Sequence, residues 1–348
     1  MKILSVVGLC EILSRMGSEL FFQQALRHLE NDFSNWRHFK KSPRHATLYP
    51  FGVIELMPCS DDEFYTFKYV NGHPRNTKQG KMCVVAFGML SDVQTGYPLL
   101  LSEMTLLTAI RSAAVTALGA KYLARSNSCH LAIIGTGAQS EFQCLMLRQQ
   151  FPLTKLSYYD LDKQAMNKFE NNMRGKNIFL QACDSIEATV GDADIIVTAT
   201  AAKSGNDLIR PEWLKKGVHI HAMGGDCPGK TELGRAVLKN CKIVVEYAEQ
   251  SLDEGEMQQM QTTDLYGELW ELVSGALPGR ENDQETTLLD AVGFALEDFS
   301  ILKLVHELTE HPDYSDICVN SAIIPDLSDP KNLYSLISQI EANHRKRL

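Results

Sequence analysis

Two glycines separated by one residue, closing an apolar run and followed downstream by an acid, are the residues of this chain best suited to chemistry. Residues 130–142 read HLAIIGTGAQSEF. Gly135 suits a tight turn between strand and helix. Gly137 lets the main chain approach a pyrophosphate, which the free N–H groups opening the next helix would hold. The third small residue of a G-x-G-x-x-G fingerprint is replaced here by Ser140, so the motif alone is weak. Residues 155–160, KLSYYD, add a second short strand ending in an acid at about the expected spacing of ~20 residues. Asp160 would accept hydrogen bonds from an adenosine ribose and repel a 2′-phosphate, which selects NAD over NADP. The competing reading is a glycine turn in an ordinary α/β domain with a surface aspartate.

A second concentration, MGGDCPGKTEL at 223–233, directly follows the apolar segment GVHIHA. Its paired glycines let main chain lie close to a flat ligand. Asp226 is then expected at the carboxyl edge of a sheet beside a nicotinamide, with Lys230 in the same turn. A Gly- and Pro-rich stretch is also often only a turn.

The elements that must position these groups are legible in outline. A helix is expected over 16–30 and strands over 53–57, 64–70, 83–90 and 98–101, separated by the turn-rich NGHPRN and DVQTGYP. Residues 103–125 have helical apolar spacing and lead into the glycine motif. Strands at 130–134, 155–159, 178–181, 194–199, 218–223 and 242–246 follow, with helices from 139 and over 163–174, the pattern of a doubly wound α/β sheet. A last helix over 294–309 would carry the chain back towards the first region. The expected fold class is therefore α/β, a Rossmann-type doubly wound sheet in residues 119–311 beside an α+β domain built from residues 1–118 with 312–348. A ligand cleft is expected between them.

Composition bounds the possibilities. The 348 residues, 44% hydrophobic and 22% charged, can bury large cores in about two domains. A net charge of −9 leaves no dense basic stripe for nucleic acid, and HRKRL at the C-terminus reads as a solvated tail. The nine cysteines, among them Cys10, Cys59, Cys144 and Cys227, contain no C-x-x-C, so neither a metal site nor a disulfide framework is expected and a reducing cytoplasm fits. The N-terminal ILSVVGLC is short and soon interrupted by Glu11 and Arg15, which argues against a signal peptide or membrane span.

Several longer segments, taken in order, resemble the ornithine cyclodeaminase and mu-crystallin family over nearly the whole chain. They are VIELMP (53–58), FKYVNGHP (67–74), the run around Arg111, GTGAQSEFQ (135–143), GGDCPGKTEL (224–233), VEY (245–247) and VGFALEDF (292–299). The similarity is strongest to the bacterial members that turn L-ornithine into L-proline. It implies a homodimer whose first domain provides the substrate site and the dimer contact, with a Rossmann domain holding NAD. It also implies a reaction in which the α-hydride of ornithine passes to NAD, the δ-amine attacks the resulting imine, ammonia leaves, and the hydride returns to give proline. The protein must then place Cα against the nicotinamide twice and exclude water.

By the same resemblance, Arg44, Lys68 and Arg111 would bind the substrate carboxylate, Arg111 also bordering the cofactor. Asp226 would hold the δ-ammonium and act as general base and acid, tuned by partial burial, with Glu55 assisting or only capping a strand. Ala138, Gln139, Asp160, Thr200, Met223, Gly224 and Lys230 match cofactor contacts alongside Gly135 and Gly137. Ala291 and Val292 match a loop closing over nicotinamide and substrate. Cys83 stands where relatives tend to carry a threonine near the cofactor, and a thiol is the weaker partner; as a small buried hydrophobe it would have no ligand role. Three readings stay open: the cyclodeaminase, acting on ornithine or on lysine; a net imine reductase or amino-acid dehydrogenase; and a non-catalytic binding protein of the mu-crystallin type. The three cations and Asp226 favour the first.

Overall fold

The computed structural model describes residues 1–201, 205, 207–321 and 323–337. Its first strands are β1 (Lys2–Leu4), β2 (Lys40–Lys41), β3 (His45–Tyr49), β4 (Gly52–Ser60), β5 (Phe64–Gly72), β6 (Val84–Asp92) and β7 (Pro98–Glu103). A second set, β8 (His130–Ile134), β9 (Lys155–Tyr159), β10 (Phe179–Ala182), β11 (Ile195–Thr198), β12 (His219–Ala222), β13 (Cys241–Val245), β14 (Leu265–Glu268) and β15 (Thr286–Asp290), forms a separate sheet. The short β16 (Val319–Asn320) returns to the first sheet and pairs antiparallel with β1. The helices are α1 (Val6–Met16), α2 (Ser18–Ser34), α3 (Thr105–Leu123), α4 (Ser140–Leu147), α5 (Lys163–Met173), α6 (Ile186–Val190), α7 (Arg235–Leu238), α8 (Ala248–Ser251), α9 (Leu269–Val273) and α10 (Ala295–Glu310).

The second sheet is parallel throughout, in the order β10-β9-β8-β11-β12-β15-β13-β14. Its first five positions repeat the doubly wound order, and the direction of winding reverses between β8 and β11, where such sheets open a ligand crevice. The expected α/β class is thus the observed one. The strands expected at 130–134 and 155–159 match β8 and β9 to the residue. β15 was not anticipated: its five residues, TTLLD, are too short for a periodic signal, and it enters the sheet out of sequence order between β12 and β13.

In the first sheet the antiparallel run β7-β6-β5-β4 has apolar residues on both faces. On β5, Thr66, Lys68 and Val70 point inward and are buried, while Tyr65, Phe67 and Tyr69 point outward. The row Leu56–Tyr69–Phe87 runs across the outer face of β4, β5 and β6, with Tyr69 and Phe87 stacked at 5.0 Å. Leu56, Val85 and Phe87 are each more than two-fifths exposed there. The inner face is covered by α10, which the sequence assigned to residues 119–311 but which packs against β4, β5, β6 and α2.

The helix expected over 16–30 is α2, which begins at Ser18 and runs on to Ser34; α1, which was not expected, precedes it and ends at Gly17, whose φ is +88°. α3 matches its expectation within two residues at each end and is buried nearly all round, because it runs between the sheets as a spine. No helix among the described residues is long and apolar enough to cross a membrane, and no cluster of His, Cys, Asp or Glu there suits a metal. The basic tail at 344–348 lies outside the described residues.

Candidate active site

The glycine turn follows β8 at the point where the winding reverses. Gly135 takes φ +95°, donates its N–H to Tyr159 O at 2.9 Å, and leaves no room for a side chain, since a Cβ there would lie 2.5 Å from Ala199 O. A Cβ on Gly137 would meet no protein atom within 4 Å, so this backbone faces open space. Ala138 is exposed in the turn and Gln139 caps α4. Ser140, the departure from the fingerprint, is fully buried and donates its hydroxyl to Gly137 O at 2.9 Å, closing the turn that a third glycine would only have permitted. Asp160 Oδ2 accepts from Thr136 N at 2.6 Å and from its hydroxyl at 3.1 Å, and Oδ1 accepts from Asp162 N. The acid at the end of β9 therefore also braces the glycine turn.

Across the crevice, Thr200 follows β11, and Met223 and Gly224 follow β12. A residue absent from the sequence reading joins them: Glu232, 1% exposed, accepts from Thr198 Oγ1 at 2.6 Å, Thr200 N at 2.7 Å and Gly224 N at 2.8 Å. Behind it, Glu256 accepts from Glu232 N and Leu233 N. Burial, and then the charge of Asp290, push the Glu256 carboxyl up to about 8. Thr200 Oγ1 and Gln139 Oε1 are buried without a hydrogen-bond partner among the described residues. Two orphaned polar atoms around an open, amide-lined turn fit a dinucleotide.

Lys230 is buried and its ammonium pairs with Asp226 at 2.9 Å. Asp226 itself is half exposed, its side chain at 52%, so the partial burial expected of it is supplied only on the Lys230 side. Cys83 immediately precedes β6, is half-buried, and points its thiol at Pro74 O. It is not the fully buried hydrophobe of the alternative reading, and its hydrogen-bond partner belongs to the first sheet's own loop.

The three expected cations lie near enough to one another for their charges to interact, and of the acids that hold them only Glu55 had been singled out in the sequence. Lys68, 1% exposed, pairs with Asp298 at 2.8 Å. Arg111 donates Nε to the same carboxylate at 3.1 Å and Nη1 to Glu297. Burial, and then the neighbouring Arg111 charge, draw Lys68 down to about 8. Glu297 is hydrogen-bonded to Glu246, and burial raises both carboxyls above the usual carboxylate range. Glu246 in turn accepts from the N–H groups of Val292 and Gly293. Gly293, at φ +81°, passes so close to Arg111 that a Cβ would sit 2.6 Å from Nη1. The loop carrying Ala291 and Val292 is thereby locked to the cations, and Ala291 N closes it onto Ala222 O at 2.9 Å.

Arg44 lies in the break between β2 and β3, where the edge strand leaves β4. Its Nη1 donates to Glu55 at 2.9 Å, its Nη2 to the carbonyls of Val292 and Gly293, and its Nε faces Glu254 at 3.2 Å. Of five guanidinium N–H groups, two make no hydrogen bond among the described residues: one on Nη1, and the Nε–H, which faces Glu254 only as an ion pair. Burial opposes its charge, but Glu55 and Glu254 outweigh that and hold it firmly protonated. Asp226 lies within electrostatic reach of both Arg44 and Glu254. A faint signal for the missed acids was present: Glu297 and Asp298 are adjacent charges in an otherwise apolar helix opening, placed in the first turn of α10 where the helix dipole favours them.

With this geometry in view, comparison with known proteins is direct. The profile of the ornithine cyclodeaminase/mu-crystallin family matches residues 7–312. An ornithine cyclodeaminase of Agrobacterium fabrum is 44% identical over 342 residues, 98% of this chain and 96% of that relative. A solved lysine cyclodeaminase, described for its recognition of L-lysine, L-ornithine and L-2,4-diaminobutyric acid, superposes with a TM-score of 0.89 at 25% identity, over 96% of this chain and 98% of that one. An archaeal alanine dehydrogenase dimer with bound NAD does so at 0.82 and 30% identity, over 89% and 96%. The chain belongs to the ornithine cyclodeaminase/mu-crystallin family.

Proposed function

We propose that this protein is an ornithine cyclodeaminase, converting L-ornithine to L-proline and ammonia with NAD as a cofactor that is regenerated in each turnover. The observation that carries the reading is a cluster of buried charges: Lys68 and Arg111, backed by Asp298 and Glu297, adjoin Arg44, which is paired with Glu55 and lies within electrostatic reach of Asp226. The identity to the Agrobacterium enzyme supports the same assignment.

Gly135, Gly137, Ala138 and Gln139 would hold the pyrophosphate, Asp160 the ribose, and Thr200, Met223, Gly224, Lys230 and Ala291 the nicotinamide half, with Cys83 at its margin. NAD, when bound, supplies a hydride acceptor that becomes the hydride donor. The protein's own groups do the rest. Arg111 has three N–H groups and Lys68 two not used by their internal acids among the described residues, enough to grip a carboxylate, with the second Nη1 N–H of Arg44 joining them. Positive charge at that end favours loss of the α-ammonium proton. Asp226, with one side in solvent and the other on Lys230, is placed to take a proton from the δ-ammonium and return one to the departing amine. Val292, held by Glu246 and Arg44, covers the pocket and excludes water.

Purified protein incubated with L-ornithine and catalytic NAD is expected to release proline and ammonia in equal amounts without net NADH. Accumulating NADH would instead identify an amino-acid dehydrogenase, and turnover of L-lysine alone would move the assignment to the lysine enzyme. Asp160→Ser is expected to reduce the preference for NAD over NADP about tenfold, the loss of roughly one charge-assisted hydrogen bond. An unchanged KM ratio would mean that the ribose is read elsewhere.

The exposed apolar outer face of the first sheet supports a homodimer, as does the dimeric alanine dehydrogenase relative. Phe87→Glu should desolvate a charge at that contact and shift the protein to monomer in light scattering; a dimer of undiminished mass would place the interface elsewhere. Nine free cysteines fit a reducing cytoplasm.

A further inference from the structure

The buried acids around the pocket fall into two kinds. Glu232, Glu246, Glu256 and Asp290 each accept hydrogen bonds from backbone N–H groups, which marks them as braces of the loops they touch. Glu254 does not. Its side chain is 9% exposed, it accepts no hydrogen bond among the described residues, and its charge partner is Arg44 Nε at 3.2 Å, in a geometry too poor for a hydrogen bond. A carboxylate desolvated to that degree without an amide to satisfy it costs stability that a purely structural residue would not retain.

Its surroundings show what the cost secures. Gly255, next in the chain, is pressed against Asp290 and Val292, so Glu254 is presented beside the loop that covers the pocket. Glu55 from β4 and Asp226 from the turn after β12 reach the same place and both add negative potential at Glu254. Three carboxylates thus surround one guanidinium, Arg44, three of whose five N–H groups are committed to Glu55, Val292 O and Gly293 O. Lys230 offsets Asp226 from the other side. The balance at this end is negative, whereas the opposite end presents Lys68 and Arg111.

We infer that Glu254 is a specificity-determining residue, which completes with Glu55 and Asp226 an acidic subsite for the distal ammonium of a diamino-acid substrate. The inference rests on the proposed ornithine reaction and names the residue that separates a diamino acid from a monoamino acid of equal length. Burial, with Glu55, Asp226 and Asp253 adding to it and Arg44 opposing, lifts the Glu254 carboxyl to about 7. The subsite therefore weakens as pH falls through neutrality, because a protonated Glu254 no longer attracts an ammonium.

The test is equilibrium binding to the NADH-loaded protein, in which the reduced cofactor cannot accept a hydride and ornithine stays intact. L-Ornithine is compared with L-norvaline, which has the same carbon chain without the δ-amine. In Glu254→Gln the Kd for ornithine is expected to rise roughly tenfold to a hundredfold while that for norvaline changes less than about twofold, as the loss of one desolvated charge contact predicts. In the unmodified protein the preference for ornithine over norvaline should fall as pH drops from 8 to 6, a readout that needs no variant, and Glu254→Gln should flatten that profile. Equal weakening of both ligands would make Glu254 a support for Arg44 and overturn the inference, as would an unchanged preference. Failure of the native protein to make proline from ornithine would count against the proposed reaction, and the binding ratio would still decide the role of Glu254.

Discussion

Asp226→Asn is expected to leave the protein folded and able to bind NAD while lowering proline formation by ~10²–10⁴-fold, the range that a positioned acid–base group contributes. The amide keeps the size of the side chain and can still accept the hydrogen bond from Lys230, but it cannot exchange the proton that the distal amine must lose and ammonia must regain. Asp226 is half exposed and bonded to Lys230, so its replacement removes no core contact and little stability is at risk. The loss should appear in kcat, with ornithine binding changed far less. If the variant turned over normally, Asp226 would have no place in the mechanism, and the proton would have to pass through Glu254 or Glu55.

Lys68→Met is expected to affect both stability and binding. Lys68 is 1% exposed and shares Asp298 with Arg111, so the thioether leaves a buried carboxylate with a single Nε–H partner. Breaking a buried pair in this way costs on the order of 3–5 kcal/mol, which should lower the melting temperature by many degrees. Loss of the ammonium should also raise the ornithine KM by at least about tenfold. The pH dependence distinguishes the two roles. With its pKa drawn down to about 8, Lys68 is charged below that pH and neutral above it, so native affinity for the substrate carboxylate should weaken as pH rises through about 8. Lys68→Met should lack that limb. A melting temperature equal to that of the native protein would show that Asp298 is satisfied without Lys68, contrary to the geometry described.

The sequence by itself determined six of the eight strands of the second sheet and the dinucleotide turn. Local signals suffice there: residues 130–134 and 155–159 are uninterrupted short strands, Gly135 is required by backbone geometry directly after the first of them, and Asp160 sits at the end of the second. The family segments around Lys68, Arg111 and Asp226 were equally legible as strings of residues. What they touch was not. β15 is a five-residue strand inserted out of order, and the covering loop after it owes its position to Glu246, 46 and 47 residues before the N–H groups it holds. Lys68 and Asp298 are separated by 230 residues and Arg44 and Val292 by 248, and no periodicity links such distances. Only the tertiary structure decided that α10 covers the first sheet, that its first-turn acids meet Lys68 and Arg111, and that Glu254 stands uncapped beside Arg44. The physical reason is that turn and strand preferences act between neighbouring residues, whereas the pairing of buried charges is settled only when packing removes water from both partners at once.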